Sequence, residues 1–295
     1  MVRVVSTPSY PSTSPIEIRN QTDPGDETSR RDRYQFGYGG ILLVGSLRGD
    51  LDYKAIWCEQ HEDFLGEVSE NLFDAYQVKT RKPELGAWKL SDDELTKSID
   101  RFVKLKRDYP SSFRKFRFVS NAKFNNSVAK AKRHLSPVQL LAAVQNASKW
   151  DKLEDAEKKG FEYLQEKIRV DAEELFDVLK KVDFANGPSL ENFEDVLAQT
   201  HIAKLSQCSN YNATSLRRVL EILIHKIHQA SSLVTTDPAV HYVALNAKCR
   251  MDPLLRAKRV SLEDVVLTVR EVRISFPYLP SLASLNLGTA IVTFL

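Results

Sequence analysis

The chain has 295 residues, of which 42% are hydrophobic and 27% are charged. This is the composition of an ordinary globular protein, and the length suits one large domain or two modest ones. The formal net charge of +3 is too small to indicate nucleic-acid binding by itself, so such binding must rest on local clusters. No GxxxxGK[ST] loop is present, which argues against ATP hydrolysis by this chain.

The cysteines and the first thirty residues bear on where the protein works. Cys58, Cys208 and Cys249 lie far apart and are odd in number, which argues against a disulfide scaffold and for an intracellular, cytoplasmic protein. Residues 1–30 hold Ser, Thr, Pro and charges without the apolar run of a secretory signal. We therefore predict a disordered leader over residues 1–30.

Residues 31–130 have the pattern of an α/β core. Two predicted helices, over 34–47 and 91–106, alternate with short apolar runs that favour strands. The predicted strands cover residues 53–59, 64–68, 73–80 and 115–120. Three strands, a helix and a further strand in this order indicate a mixed sheet flanked by helices.

The second half is predicted to be mainly α-helical, over residues 131–272. Ser136 followed by Pro137 is typical of a helix N-terminus, and Ser261 with Asp264 forms a capping box. The last segment, 273–295, carries no charge from Ile274 onward, so its length is near that of a membrane span. Its two prolines and its polar residues argue against a membrane anchor.

Three polar residues stand in a pattern that suits phosphodiester chemistry. Gln77 and Lys79 are two apart in a predicted strand, so both project to one face while Val78 projects to the other. Asp63, on the preceding strand, could meet them there. A carboxylate can hold a divalent cation that polarises a phosphate, and an ammonium can offset phosphate charge. The alternative is a solvated hairpin face with a cross-strand ion pair.

On these residues the chain resembles the PD-(D/E)XK nuclease superfamily, in the variant where Gln replaces the acid of the (D/E)XK element. It is more closely similar to the Cap-four-like endonuclease domain, the nuclease half of bacterial antiphage effectors. The resemblance spans roughly residues 31–125. It is carried by Tyr34-Gln35, Ile56-x-x-Glu59-x-x-Glu62-Asp63, Tyr76-Gln77-Val78-Lys79, Trp88 and Phe118-Val119-Ser120-Asn121.

The resemblance implies roles for the site residues. Asp63 would be the main ligand of Mg²⁺ (or Mn²⁺), with the Val78 carbonyl as a second ligand, a neutral oxygen from Gln77 and the ammonium of Lys79. Glu59 would share a face with Asp63 if one unbroken strand joined them, which makes it either a further metal ligand or an exposed side chain. Gln35 either orients the site or makes a helix–sheet hydrogen bond.

Basic clusters flank this predicted core and could neutralise DNA phosphates without contacting base edges. The candidates for nucleic-acid binding are Arg81, Lys82, Arg114, Lys115 and Arg117. Each cluster by itself is typical of a solvated surface, but four of them around one predicted core favour phosphate binding.

The residue pattern and the resemblance together predict a metal-dependent endonuclease with little sequence specificity. The resemblance implies that its substrate is double-stranded DNA and that it acts in antiviral defence. Two alternatives remain: a catalytically silent DNA-binding or assembly module, and a nuclease subunit that acts only with a partner ATPase. A homo-oligomer is a further possible assembly. In relatives a separate domain senses a cyclic oligonucleotide, but the helical half contains no motif that we can assign to such sensing.

Overall fold

The computed structural model describes residues 24–129, 133–232 and 256–275. The first half holds helix α1 (Pro24–Arg48), strands β1 (Ala55–Gln60), β2 (Glu62–Ser69) and β3 (Leu72–Lys79), helix α2 (Asp93–Asp108) and strand β4 (Phe113–Ser120). The second half holds α3 (Pro137–Asn146), α4 (Asp155–Ile168), α5 (Ala172–Leu179), β5 (Val182–Asn186), α6 (Ala213–Ser232), β6 (Arg259–Ser261) and α7 (Leu262–Ser275).

The strands form one mixed sheet in the order β5-β4-β3-β2-β1-β6. The chain forms β1, β2 and β3 as an antiparallel meander, then crosses over through α2 so that β4 runs parallel to β3. β5 is parallel to β4, and β6 is antiparallel to β1. The predicted mixed sheet flanked by helices, followed by a mainly helical region, is confirmed.

A hydrophobic core covers each face of the sheet. One core joins the sheet to α1, α6 and α7, and the other joins it to α2 and to helices α3–α5. Representative members of the first are Tyr34, Ile56, Phe64, Val78 and Leu223, and of the second Ala75, Trp88, Phe102, Phe118 and Phe161. Since neighbouring residues of a strand face opposite sides, β3 contributes to both cores, and its far end carries Gln77 and Lys79.

Helix α2 shows how the sequence places an element on the second core. Its residues Leu95, Ile99 and Phe102 are spaced three and four apart, so they form one apolar stripe, and all three are fully buried. Asp93 and Glu94 lie in the first turn, where the helix dipole favours negative charge. The opposite face of α2 reaches solvent and carries charged residues.

The structure differs from the sequence-based expectation at several boundaries. Strands β5 and β6 come from the half predicted to be mainly helical, and they pair with strands of the first half. Helix α1 begins at Pro24, within the predicted leader of residues 1–30. Residues 1–23 and 276–295 lie outside the described part of the chain. They include most of the predicted leader and most of the charge-free segment that begins at Ile274. No helix within the described ranges is both long and apolar enough to cross a bilayer.

The two predicted helix caps in the second half are confirmed. Ser136 accepts a hydrogen bond from the Gln139 backbone N–H at the start of α3. At the start of α7, the Asp264 N–H donates to the Ser261 hydroxyl oxygen, and the Ser261 N–H donates to the Asp264 carboxylate. This reciprocal pair is the capping box that the sequence predicts.

Candidate active site

The candidate site lies where the two central strands β2 and β3 part from each other. Their ladder pairs Phe64 with Tyr76 as its last residues at this end. Beyond that pair, the carboxylate of Asp63 takes the place of a backbone acceptor, since its Oδ2 accepts the Val78 N–H at 2.7 Å. The sheet therefore opens a gap between its central strands, with a carboxylate fixed in it.

Gln77 and the Val78 backbone, from the Gln-Val-Lys element of β3, contact this carboxylate. Gln77 is buried, and its Nε2 donates to Asp63 Oδ2 at 2.5 Å. Val78 packs into the core on the α1 side, so it faces away from Gln77. Within the described chain, no N–H or O–H donates to Oδ1 of Asp63, which leaves that oxygen for another ligand.

Lys79 is the third member of the predicted group, with Asp63 and Gln77. It is half-buried at the end of β3, and its ammonium lowers the pKa of Asp63. Burial is the larger effect on that carboxyl, and it raises the pKa of Asp63 to about 6. Removal from water disfavours the charged form, whereas a nearby cation favours it. The Asp63 carboxylate therefore sits where a further cation would stabilise it.

Glu59 approaches this group by a different route from the one predicted. The condition under which Glu59 and Asp63 would share a face of one strand is not met, because the chain turns between β1 and β2 and both Glu59 and His61 have positive φ. Glu59 lies instead on the neighbouring strand, where its charge raises the pKa of Asp63. Gln35 of α1 donates from Nε2 to Glu59 Oε1 at 2.7 Å. Gln35 thus makes the helix–sheet hydrogen bond that was one of its two predicted roles, and its role in orienting the site stays a prediction.

Glu62 and Arg101 were not among the site residues that the sequence predicted. In a regular strand Glu62 would point away from the site, but here its side chain is fully buried and its Oε1 accepts the Arg101 Nε at 3.2 Å. Burial raises the pKa of Glu62 to about 8. The adjacent acids Glu62-Asp63 are the one sign of this pair in the sequence, because Arg101 lies 39 positions after Glu62, on α2. Nothing in the local sequence links the two.

The donor set suits a hard divalent cation. Carboxylate, amide and carbonyl oxygens are the ligands that Mg²⁺ prefers, and Mg²⁺ keeps several waters where protein ligands are few. The unused Oδ1 of Asp63 and the nearby carboxylate of Glu59 fit this chemistry. No cluster of three or more His, Cys, Asp or Glu side chains suited to a metal ion occurs among the described residues.

Arg81 is held by the loop that follows β3. Its guanidinium donates to the carbonyls of Leu85 and Gly86 and lies over the Trp88 ring at 4.3 Å. Its backbone N–H donates to the Asn121 side chain, which ties the end of β3 to the end of β4. These contacts use the side chain for local structure, and they compete with the phosphate contact predicted for Arg81. Lys82, the next residue, is exposed.

The second basic cluster forms ion pairs at the other end of β3 and β4. Arg114 donates to both Asp52 and the fully buried Asp74, and Lys115 pairs with Asp183 at 2.9 Å. Arg117 lies over the Tyr76 ring, and its Nη2 is about 4 Å from Asp74 and from Asp183. DNA binding by these three cations stays a prediction. To bind phosphate, each would have to exchange a carboxylate for it.

A stability test follows from the buried carboxylate in this cluster. Asp74→Ala is expected to lower the free energy of unfolding by about 2 kcal/mol, because Arg114 loses its hydrogen bonds to a buried carboxylate while it keeps those to Asp52. The Tyr53 hydroxyl also loses this acceptor and keeps Tyr76 as its other partner. Urea denaturation of wild type and variant measures the change. Asp195→Ala breaks an exposed pair with Arg217 and serves as the control. Equal stability of all three proteins would show that the network contributes nothing.

A family model for the Cap4 dsDNA endonuclease domain matches residues 23–231, more than two thirds of the chain. The chain belongs to this family. The match extends well past the predicted boundary at residue 130 and takes in β5 and α6. A comparison with curated proteins finds no similar sequence.

Solved structures of Cap4 proteins are also similar to the chain. The Acinetobacter baumannii Cap4 SAVED/CARF-domain containing receptor with the cyclic trinucleotide 2'3'3'-cAAA has a TM-score of 0.48 and 12% identity, over 83% of this chain and 44% of that one. The Moraxella osloensis Cap4 receptor has a TM-score of 0.40 and 19% identity, over 68% of this chain and 42% of that one. The chain therefore spans less than half the length of these Cap4 proteins.

Proposed function

We propose that the chain is a divalent-metal-dependent endodeoxyribonuclease that hydrolyses the phosphodiester bonds of double-stranded DNA. The observation that carries the proposal is the Asp63 carboxylate, which is fixed in the gap between β2 and β3 by Gln77 and by the Val78 N–H. Lys79 stands beside it. Membership of the Cap4 dsDNA endonuclease domain family supports DNA as the substrate.

The proposed cofactor is Mg²⁺, with Mn²⁺ as the substitute. Asp63 and the Val78 carbonyl would hold the cation, together with the amide oxygen of Gln77 and the carboxylate of Glu59. When bound, such an ion polarises the phosphate and lowers the pKa of water. Because one acid is replaced by Gln, the site has less negative charge than a site with three carboxylates, so we expect weaker metal affinity and more retained water.

The protein's own groups position and stabilise the reactants. The ammonium of Lys79 is placed to orient the attacking water by hydrogen bonding and to offset the charge that develops on the phosphate. Gln77 keeps Asp63 in one orientation by donating to its Oδ2. Gln35 does the same for Glu59. These hydrogen bonds keep both carboxylates in place, so little reorganisation is needed when substrate binds.

Gln77→Glu tests the role of the neutral oxygen. The change removes the donor to Asp63 and places two carboxylates together, so the melting temperature without metal is expected to fall. Mg²⁺ should raise the melting temperature more in the variant than in wild type, because the added charge strengthens cation binding. We expect cleavage to be retained, or the metal preference to shift. Complete loss of cleavage with unchanged metal affinity would assign Gln77 another role.

The proposed setting is antiviral defence inside the cell, with DNA cut at many sites. If backbone phosphates provide most of the binding energy, affinity should fall steeply with salt and vary little with sequence. Two other functions compete: a DNA-binding or assembly module without catalysis, and a nuclease that needs a partner ATPase or self-assembly. Incubation of purified protein with plasmid and Mg²⁺ separates the first from an active nuclease. Activity that appears only after a partner is added would support the second.

A further inference from the structure

Arg101 is anchored beside the candidate site in an unusual way. Among the described residues, its side chain makes one hydrogen bond, from Nε to Oε1 of Glu62 at 3.2 Å. The Glu62 side chain is 0% exposed, whereas that of Arg101 is 42% exposed. The pair therefore has a buried acidic end and a cationic end that reaches solvent.

The solvent end of Arg101 retains most of its hydrogen-bonding capacity. A guanidinium has five N–H donors, and in the described chain no acceptor takes either terminal nitrogen of Arg101. Arg107, on the same helix, differs because both Nε and Nη2 donate to Glu174. Arg114 likewise directs its donors to two carboxylates. The Arg101 side chain is thus held by a hydrogen bond at Nε, while its two terminal nitrogens have no acceptor among the described residues.

Arg101 lies beside the candidate site. It binds Glu62, which directly precedes Asp63 at the start of β2, so its guanidinium is held next to the proposed metal ligand. The positive charges of Lys79 and Arg101 both lower the pKa of Asp63, which agrees with this position. A buried ion pair is in itself weak evidence for a stabilising role, because apolar residues of similar size often serve as well. The terminal N–H groups of a guanidinium, when they have no other acceptor, match the spacing of two phosphate oxygens.

We propose that Arg101, held in place by Glu62, contacts a backbone phosphate of the DNA adjoining the bond that is cut. This inference rests on the proposed function, since it places the DNA across Asp63 and Lys79. It assigns phosphate binding near the site to a residue outside the basic clusters, most of whose cations are paired with carboxylates. Glu62 is a positioning residue in this arrangement, because it acts only through Arg101.

The test is the salt dependence of DNA affinity, measured by fluorescence anisotropy in EDTA on two unrelated duplexes. Arg101→Gln is expected to flatten the slope of log affinity against log salt by about one unit, which is close to a tenfold loss of affinity at about 0.1 M salt. Arg101→Lys keeps the charge and should keep the slope. Arg107→Gln, on the same helix, is the matched control and should give the wild-type line.

Superimposable lines for Arg101→Gln and wild type would overturn the inference, as would equal losses for Arg101→Gln and Arg107→Gln. Arg101→Gln leaves a buried carboxylate without its partner, so thermal melting must accompany the titration. If the single variant does not fold, Glu62→Gln with Arg101→Gln removes both charges, and the same loss of slope is expected. Because EDTA prevents metal-dependent cleavage, this result is separate from the proposed function, which fails if wild type does not cut DNA in Mg²⁺.

Discussion

Asp63→Asn is expected to reduce metal-dependent DNA cleavage by roughly a hundredfold or more, because it removes the main charge that holds the cation. The change is nearly isosteric. The amide oxygen of Asn can still accept the Val78 N–H, so the gap between β2 and β3 should keep its shape. Cleavage of supercoiled plasmid in Mg²⁺ measures the effect, and titration calorimetry with Mn²⁺ measures the loss of metal binding.

The matched control for this variant is Glu67→Gln, on the same strand. Glu67 pairs with Arg259 on β6, so the change also converts an acid to an amide without touching the site. We expect the control to retain wild-type cleavage. Undiminished cleavage by Asp63→Asn would remove Asp63 from the site, and equal losses in both variants would indicate a general effect of charge on β2.

Lys79→Ala is expected to lower the cleavage rate by about 10²- to 10³-fold, the usual effect of removing one preorganised group that stabilises developing charge. The side chain is half-buried at the end of its strand and makes no hydrogen bond within the described part of the chain. Its removal should therefore leave the melting temperature nearly unchanged. Single-turnover cleavage at saturating protein separates the chemical step from DNA binding.

Lys97→Ala is the control for Lys79→Ala, because Lys97 is an exposed lysine on α2. It should leave the single-turnover rate unchanged. A Lys79→Ala rate within a factor of two of wild type would contradict the proposed role. A lower affinity for DNA with an unchanged rate would make Lys79 a binding residue only.

The main features of the site were predictable because they depend on local rules. Strand alternation places Gln77 and Lys79 on one side of β3 and Val78 on the other, and no tertiary information is needed for that. The hydrophobic stripe of α2 follows from helical spacing in the same way. The meeting of Asp63 with Gln77 required only that β2 and β3 be neighbours, which a short turn between them favours.

The errors have physical causes as well. The possibility that Glu59 shares a face with Asp63 depended on one regular strand, but the chain turns after Gln60 and the ladder opens beyond Phe64. Strand β6 has three residues and β5 has five, which are too short for an alternation pattern to stand out.

The basic clusters illustrate a different limit. A count of charges along the chain shows Arg114 but not its partners, since Asp52 lies 62 positions away and Asp74 lies 40. Whether a cation is available to bind phosphate depends on which acids the fold brings to it. Arg101 is the opposite case, because it stood in no conspicuous cluster and yet lies beside Asp63.

Incubation of the purified wild-type chain with supercoiled plasmid, in Mg²⁺ and separately in EDTA, tests the proposed metal-dependent cleavage most directly. That activity would give nicked and then linear DNA in Mg²⁺, progressing to shorter fragments without a fixed pattern, and intact plasmid in EDTA. Plasmid that is bound but remains supercoiled in both Mg²⁺ and Mn²⁺, over a wide range of protein concentration, would contradict it.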